Sequence, residues 1–278
     1  MDKIKINNLE VFANHGVYEE EKKLGQKFLL SATLFFDARI AGQSDELANS
    51  VDYGEICHFM SAYMKENTFN LLEAVAENLV KELLIQYEKI KEIQLEIKKP
   101  WAPIGLPLDC VSVEIRRKWQ TAYIGLGSNL GDKKKHIFDA IKSLEQDINC
   151  KVFKVSKFIE TKPYGNLEQD DYLNACLMLE TLYTPEELLV TLNQIEALAG
   201  RERKVKWDSR TLDLDILFYG DTIYNSETLC IPHYDLHNRS FVLEPLYEIA
   251  PYFTHPLKNK SVKEMWEEVD DLESRVVK

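Results

Sequence analysis

Residues 116–127 read RRKWQTAYIGLG. An alternating run ends at Arg116, Arg117 and Lys118, and a second one, TAYIGLG, begins at Thr121. Alternation with period two marks a half-buried strand, because successive side chains point to opposite faces. The pattern therefore restarts here, which places a domain boundary at 118–121. No Pro/Gly/Ser-rich linker intervenes, so the junction is short. At 278 residues the chain exceeds the usual size of one domain and suits two.

Upstream, residues 3–13 (KIKINNLEVFA) and 27–39 (KFLLSATLFFDAR) read as strands, joined by a segment with His15, Gly16 and Glu19 to Glu21. VDYGEICHFMSAYMKEN and NLLEAVAENLVKELLIQYEKI carry apolar residues at i, i+3, i+4 and i+7, the pattern of amphipathic helices. KEIQLEIKKP and CVSVEIRRKW return to alternation. The order β-β-α-α-β-β predicts an antiparallel four-stranded sheet with helices on one face. Its open edges need partners. Downstream, TAYIGLG is followed by a helix from DKKKHIFDAIKSLEQ and by strand-like KVFKVSKFIET and YLNACLMLET. A helix introduced by Thr184-Pro185-Glu186-Glu187 precedes a strand in RTLDLDILFYG, residues 210–220. Both halves are α+β.

Composition narrows the function classes. The net charge of -12 disfavours nonspecific binding to nucleic acid or anionic membranes. There is no run of 18 apolar residues and no cleavable leader, so a soluble, cytoplasmic protein is expected. Five cysteines, widely spaced and without CxxC, argue against a disulfide framework or a zinc site.

Asp213 and Asp215 stand on one face of a strand, roughly 6.5–7 Å apart. Asp is disfavoured in strands, and like charges raise each other's pKa. Either water covers that face or a cation does. Paired carboxylates completed by water are what Mg²⁺ takes when a substrate supplies phosphate oxygens. The neighbours favour that reading: Arg201, Arg203, Lys204, Lys206 and Arg210 lie just upstream, and His233, His237 and Arg239 follow. Positive groups around a metal-carboxylate pair suit phosphoryl chemistry. No Walker A motif is present, and GLGSNLGD taken alone reads as a strand-to-helix turn.

GSNLGD, DYLNA, RTLDLDI and PHYDLHNRSFVLEPLYEIAP, in this order, resemble the 6-hydroxymethyl-7,8-dihydropterin pyrophosphokinase family over residues 121 to about 260. The resemblance implies a ferredoxin-like α/β sandwich across 121–278 that moves pyrophosphate from ATP to a pterin alcohol. It implies that Asp213 and Asp215 bind two Mg²⁺ ions, and that Arg203 and Arg210 are catalytic groups contacting phosphates from loops. Glu196, Lys206, His233, Tyr234 and Arg239 would hold the nucleotide. Tyr172 and Phe241 would sandwich the pterin, with Thr161, Tyr164 and Trp207 nearby and Asn174 reading its amide-like edge. Lys206 stands where Arg is often found.

In the first half, a carboxylate at Glu73 suits a helix start, where it either caps the first turn or accepts two hydrogen bonds from an amidine-like edge. Lys99 ends a strand before prolines. HGVYEEEKKLGQ, VDYGE, NLLEAVAE and KKPWAPI together resemble the dihydroneopterin aldolase family over residues 1 to about 118. The resemblance implies a tunnelling fold (T-fold) for residues 1–118 and a retro-aldol cleavage that needs no metal or cofactor. Leu72 and Glu73 would bind the pterin, Lys99 would act as acid/base, and Glu21 would hold or deprotonate the side-chain diol. The run Glu19, Glu20, Glu21 leaves that register open. Tyr53 would reprotonate the intermediate from a neighbouring subunit, so a homo-oligomer formed through this domain is expected. The product of this reaction is the substrate of the second. Two alternatives stand beside a bifunctional enzyme: a first domain that mainly epimerises its pterin or acts on a related one, and a pterin-binding scaffold with only the second activity.

Overall fold

In a computed structural model of the chain, the described residues are 1–163, 169–200 and 210–276. They form two compact units, Met1–Trp119 and Gln120–Lys278.

The first unit runs β1 (Asp2–Ala13), α1 (Glu19–Leu24), β2 (Gln26–Phe36), α2 (Arg39–Ser44), α3 (Tyr53–Glu66), α4 (Leu72–Gln86), β3 (Glu92–Lys99) and β4 (Val111–Lys118). Its sheet has the order β1-β2-β3-β4, antiparallel throughout. The period-two pattern decides which face is covered: Phe28, Leu30, Ala32 and Leu34 of β2 are buried, opposite Ile97, Leu95 and Ile93 of β3. Helices α3 and α4 pack on the sheet. From α4, Val75, Ala76, Leu79, Val80, Leu83 and Leu84 are all buried, the spacing of an apolar helical stripe. Asp52 starts α3 by accepting the amides of Gly54 (2.8 Å) and Glu55 (3.1 Å). This is the β-β-α-α-β-β T-fold arrangement. The short helices α1 and α2 interrupt stretches that read as loop or strand, because six-residue helices show no period long enough to recognise.

The second unit comprises β5 (Gln120–Ser128), α5 (Lys133–Gln146), β6 (Cys150–Val155), β7 (Ile159–Thr161), β8 (Tyr172–Thr181), α6 (Pro185–Leu198), β9 (Asp213–Tyr219), β10 (Tyr224–Asn225), β11 (Cys230–Ile231), α7 (Ser240–Ile249) and α8 (Val262–Val276). Its main sheet has the order β6-β8-β5-β9, all antiparallel, with β7 also on β8. The path β5-α5-β6-β8-α6-β9 is the ferredoxin-like order. Ile137 and Leu144 of α5 and Leu188 and Leu192 of α6 cover one face, packed on Ile124, Leu126, Leu214 and Ile216. On the other face Leu243 and Leu246 of α7 and Met265 of α8 cover Tyr123, Cys176, Leu217 and Phe218. That third layer goes beyond the strand-and-helix pattern read from the sequence. KVFKVSKFIET, read as one strand, is divided into β6 and β7. Ser156 makes the break: its amide donates to the Cys176 carbonyl and its Oγ accepts the Cys176 amide.

Candidate active sites

In the first unit the alternation of β3 carries Ile93, Leu95 and Ile97 into the core. Lys99 continues that face just past the core, where α1 meets it. Lys99 Nζ lies 2.6 Å from Glu21 Oε1, and the two side chains are only 11% and 10% exposed. The same oxygen accepts Gln26 Nε2 at 2.9 Å, and Oε2 accepts the Tyr18 amide at 3.1 Å. Burial pushes the Glu21 carboxyl up, but the bonds from Lys99, Tyr18 and Gln26 outweigh it and hold the group below its ordinary range. Of the three consecutive glutamates, Glu21 is the one turned onto Lys99; Glu19 pairs with Lys22. Gly16 permits the approach. A Cβ there would stand within 2.7 Å of Glu21 Cδ and both its oxygens.

Leu72 and Glu73 open α4, Leu72 buried and Glu73 exposed. The residue before them, Leu71, offers no side-chain cap, so the first-turn amides of α4 are left for another acceptor. Tyr53 opens α3 and is 62% exposed. Among the described residues, neither Tyr53 nor Glu73 hydrogen-bonds to or pairs with Glu21 or Lys99. The structure thus brings together Glu21 and Lys99 and leaves Tyr53 and Glu73 as separate exposed groups of the same unit.

The second unit holds a cavity of about 290 Å³. Thr161, Tyr172, Asn174, Arg210, Asp213, Asp215, His233, Tyr234, Arg239 and Phe241 all line it. Leu214 and Ile216 of β9 point into the core under α5 and α6, so Asp213 and Asp215 point the other way, into the cavity. Across from them on β5 stand two glycines, with Asp213 in register with Gly127 and Asp215 with Gly125. The neighbouring strand therefore has no side chain where a ligand of the carboxylates would sit. A Cβ on Gly127 would come 3.1 Å from Asn174 Oδ1 and 3.8 Å from Asp213 Cβ.

Arg210 Nη1 lies 2.5 Å from Asp213 Oδ2. Burial, and then the charge of Asp213, push the Asp215 carboxyl up to about 7, against Arg239 and Arg210. A buried Asp215 whose ionisation is opposed beside Asp213, over a floor cleared by glycine, fits a divalent cation. Among the described residues no group of three or more His, Cys, Asp or Glu converges as a ligand set. The remaining ligands of such an ion would be phosphate and water oxygens, as is usual for Mg²⁺.

His233 is driven down to about 4 by burial and then by Arg239, so it is neutral near pH 7. Its Nδ1 accepts the Asp235 amide at 3.3 Å, which places the ring proton on Nε2. Arg239 is oriented by Asp235 Oδ2 at 2.9 Å and lies over the rings of Tyr234 and Phe241 at 5.9 and 5.8 Å. Asn174 Nδ2 donates to Thr161 Oγ1 at 2.7 Å, which fixes the amide and turns its oxygen to the Gly127 side.

Glu196 does not line the cavity. It is 3% exposed, and its Oε1 accepts the Leu214 amide at 2.8 Å. Tyr164, Arg203, Lys206 and Trp207 lie outside the described residues. Sequence reasoning missed Ser128, Asn129 and Gln169. Asn129 Oδ1 accepts the Arg210 amide at 2.6 Å, Asn129 N donates to the Arg210 carbonyl at 3.0 Å, and Ser128 Oγ donates to the Thr211 carbonyl at 2.6 Å. Gln169 Oε1 accepts the Tyr172 hydroxyl at 3.2 Å. The signal was present in GSN, two polar residues in sequence after an apolar strand, but it read as a turn.

Comparison with known proteins adds the following. Residues 123–251 match the sequence model of the 7,8-dihydro-6-hydroxymethylpterin-pyrophosphokinase (HPPK) family, and residues 4–116 match that of dihydroneopterin aldolase (FolB). The chain is similar to the folic acid synthesis protein fol1 of Pneumocystis carinii, 31% identical over 97% of this chain and 38% of that one. It is similar to the 2-amino-4-hydroxy-6-hydroxymethyldihydropteridine pyrophosphokinase of Haemophilus influenzae, 48% identical over 47% of this chain and 81% of that one. It is similar also to a crystal structure of E. coli dihydroneopterin aldolase in complex with neopterin, 29% identical with a TM-score of 0.40, over 42% of this chain and 99% of that one. The chain spans well under half the length of the fol1 relative.

Proposed function

Because the chain belongs to the 7,8-dihydro-6-hydroxymethylpterin-pyrophosphokinase family through its second unit and carries a dihydroneopterin aldolase domain in its first, we propose that it catalyses two consecutive steps of folate synthesis. The first cleaves 7,8-dihydroneopterin to glycolaldehyde and 6-hydroxymethyl-7,8-dihydropterin. The second transfers pyrophosphate from ATP to that hydroxymethyl group and releases AMP. The observation that carries the pair is that each unit gathers its own chemistry: a buried Glu21–Lys99 pair in one, and Asp213, Asp215, Arg210 and Arg239 around a cavity in the other.

In the aldolase step Glu73 and the first-turn amides of α4 hold the amidine edge and carbonyl of the pterin. A proton leaves the hydroxyl on the second side-chain carbon, the bond between the first and second carbons breaks, and glycolaldehyde departs. The electron pair passes into the ring C=N, and N5 takes up a proton. Lys99 supplies that proton, and the Glu21 carboxylate orients or deprotonates the diol. Tyr53 then delivers a proton to the former side-chain carbon while N5 gives up its own, so no Schiff base forms. Its exposure at the start of α3 supports its serving a neighbouring copy, and β1 and β4, unpaired on their outer sides among the described residues, support a homo-oligomer through this unit.

In the transfer step the pterin hydroxyl oxygen attacks the β-phosphorus of ATP and the bond to the α-phosphate bridge oxygen breaks. Tyr172 and Phe241 sandwich the pterin, and Asn174, held by Thr161, accepts from its edge. Arg210 and Arg239 offset phosphate charge, with Arg203 and Lys206 proposed to join them, and neutral His233 with Tyr234 contacts the nucleotide. Bound at Asp213 and Asp215, two Mg²⁺ ions would supply charge neutralisation and a fixed phosphate geometry. No described helix is long and apolar enough to cross a membrane.

The test is to incubate purified protein with dihydroneopterin, with and without Mg-ATP, and to follow products by mass. Glycolaldehyde and hydroxymethyl-dihydropterin without ATP, and the pyrophosphate ester with it, are expected. Absence of both overturns the proposal, and an epimer without glycolaldehyde overturns its first half.

A further inference from the structure

His15 and Gly16 sit between the chemistry of the first unit and its pterin-anchoring helix. Phe69 N donates to His15 Nδ1 at 3.2 Å, and Gly16 N donates to the Phe69 carbonyl at 3.0 Å. Two adjacent residues thus grip both backbone groups of one residue more than fifty positions away. On one side of this clasp, Gly16 abuts the Glu21 carboxylate that Lys99 holds. On the other side, Phe69 lies three residues before Leu72 and four before Glu73, in the segment that enters α4 without a side-chain cap. The His15 ring is 1% exposed and is fixed by Phe28, edge-on at 5.4 Å, and by Phe69, stacked at 6.0 Å.

We propose that His15 is a positioning residue for the aldolase step: through Phe69 it sets the distance between the Glu21–Lys99 pair and the first turn of α4. This inference rests on the aldolase reading of the first unit. The clasp requires an acceptor at Nδ1, so the ring must be neutral. Burial, and beyond it the charge of Lys99, push its pKa down to about 4, which keeps it so. A side chain of the same girth without that acceptor would leave the part-buried Phe69 amide without its partner and let the entry to α4 drift. Misplacement by about an ångström costs as much as 100-fold in rate.

The experiment compares wild type, His15→Phe and His15→Asn in the full chain. The Asn Oδ1 stands near where Nδ1 accepts, so it should keep the clasp. Glycolaldehyde release is measured for kcat and KM well below the melting transition of each variant, with pyrophosphoryl transfer by the same preparation as a control for folded protein. His15→Phe is expected to lower aldolase kcat roughly 10- to 100-fold, with KM within about threefold and the second activity unchanged. His15→Asn is expected to recover most of kcat. A purely structural role would lower the melting temperature and leave kcat of the folded protein alone. An active wild type with His15→Phe within twofold of it, or His15→Asn as impaired as His15→Phe, overturns the clasp and leaves the aldolase reading standing. A wild type that releases no glycolaldehyde overturns the aldolase reading itself, and the clasp with it.

Discussion

Lys99 Nζ and Glu21 Oε1 lie 2.6 Å apart, brought together from the end of β3 and the first turn of α1 and shielded from water on most sides. The lysine helps hold the carboxylate charged, and on the proposed mechanism the two groups serve as proton donor and diol acceptor. Glu21→Gln and Lys99→Met should each lower glycolaldehyde release by about 100-fold or more, the range for a lost acid or base. Pyrophosphoryl transfer should be unaffected, and assaying both activities on one preparation checks this. The Glu21 carboxyl is depressed from its ordinary 4.5. Its contribution to stability is therefore complete above that value and is lost as pH falls through the folded-state value. Melting curves of wild type and Lys99→Met should accordingly converge in acid.

Asp215 has the opposite sign. Its carboxyl is raised from 3.8 to about 7, so ionising it opposes folding, and stability falls as pH rises between those values. Without metal at pH 8, Asp215→Asn should raise the melting point of the second unit by a few degrees, at roughly 2–4 °C per kcal/mol for a unit of this size. The gain should vanish near pH 4 and shrink when Mg²⁺ is added to the wild type. The same substitution, or a chelator, should abolish pyrophosphoryl transfer and leave glycolaldehyde release intact.

Gly125 and Gly127 face the aspartates across the β5–β9 ladder. Gly127→Val would fill the floor of the cavity and displace Asn174, 3.1 Å from even a Cβ. A loss of pyrophosphoryl transfer of about 100-fold or more is expected, with KM for the pterin raised, since both the Asn174 amide and the floor beside Asp213 are touched. Steady-state kinetics on the two substrates separately will show whether the pterin term moves.

Tyr53 is exposed, and among the described residues it makes no hydrogen bond to the Glu21–Lys99 pair of its own chain. If copies share sites around a ring, Tyr53→Phe and Glu21→Gln chains assembled together should regain about one quarter of wild-type aldolase activity, because that fraction of randomly mixed interfaces carries neither change. No recovery after co-assembly would place Tyr53 in its own chain's site or outside the chemistry.

The elements with long periods were legible because burial and geometry agree in them: Ile93, Leu95 and Ile97 alternate, and Val75, Leu79 and Leu83 recur as a stripe. Helix α1 was not, since EEEKKL has no apolar face of its own and folds because Glu21 turns inward to Lys99. Nor was α7, whose interior Pro245 reads as a break. Asp213 and Asp215 stood out as acids misplaced in a strand. The glycines opposite them did not, because register between strands is absent from any local pattern. Glu196, expected beside the nucleotide, is buried and accepts the Leu214 amide, a contact set by how α6 lies on β9 and so invisible in the sequence. Asn129 and Ser128 passed for turn residues, though they fasten the chain at Arg210 and Thr211.

If Tyr53 serves the site of the next copy, as proposed, the aldolase site exists only where copies meet, whereas the residues lining the cavity at Asp213 and Asp215 all belong to one unit. On this reading the two activities respond differently to the amount of protein present. Dilution below the assembly threshold would silence cleavage and spare pyrophosphoryl transfer, so the abundance of the chain itself would set the balance between the two steps.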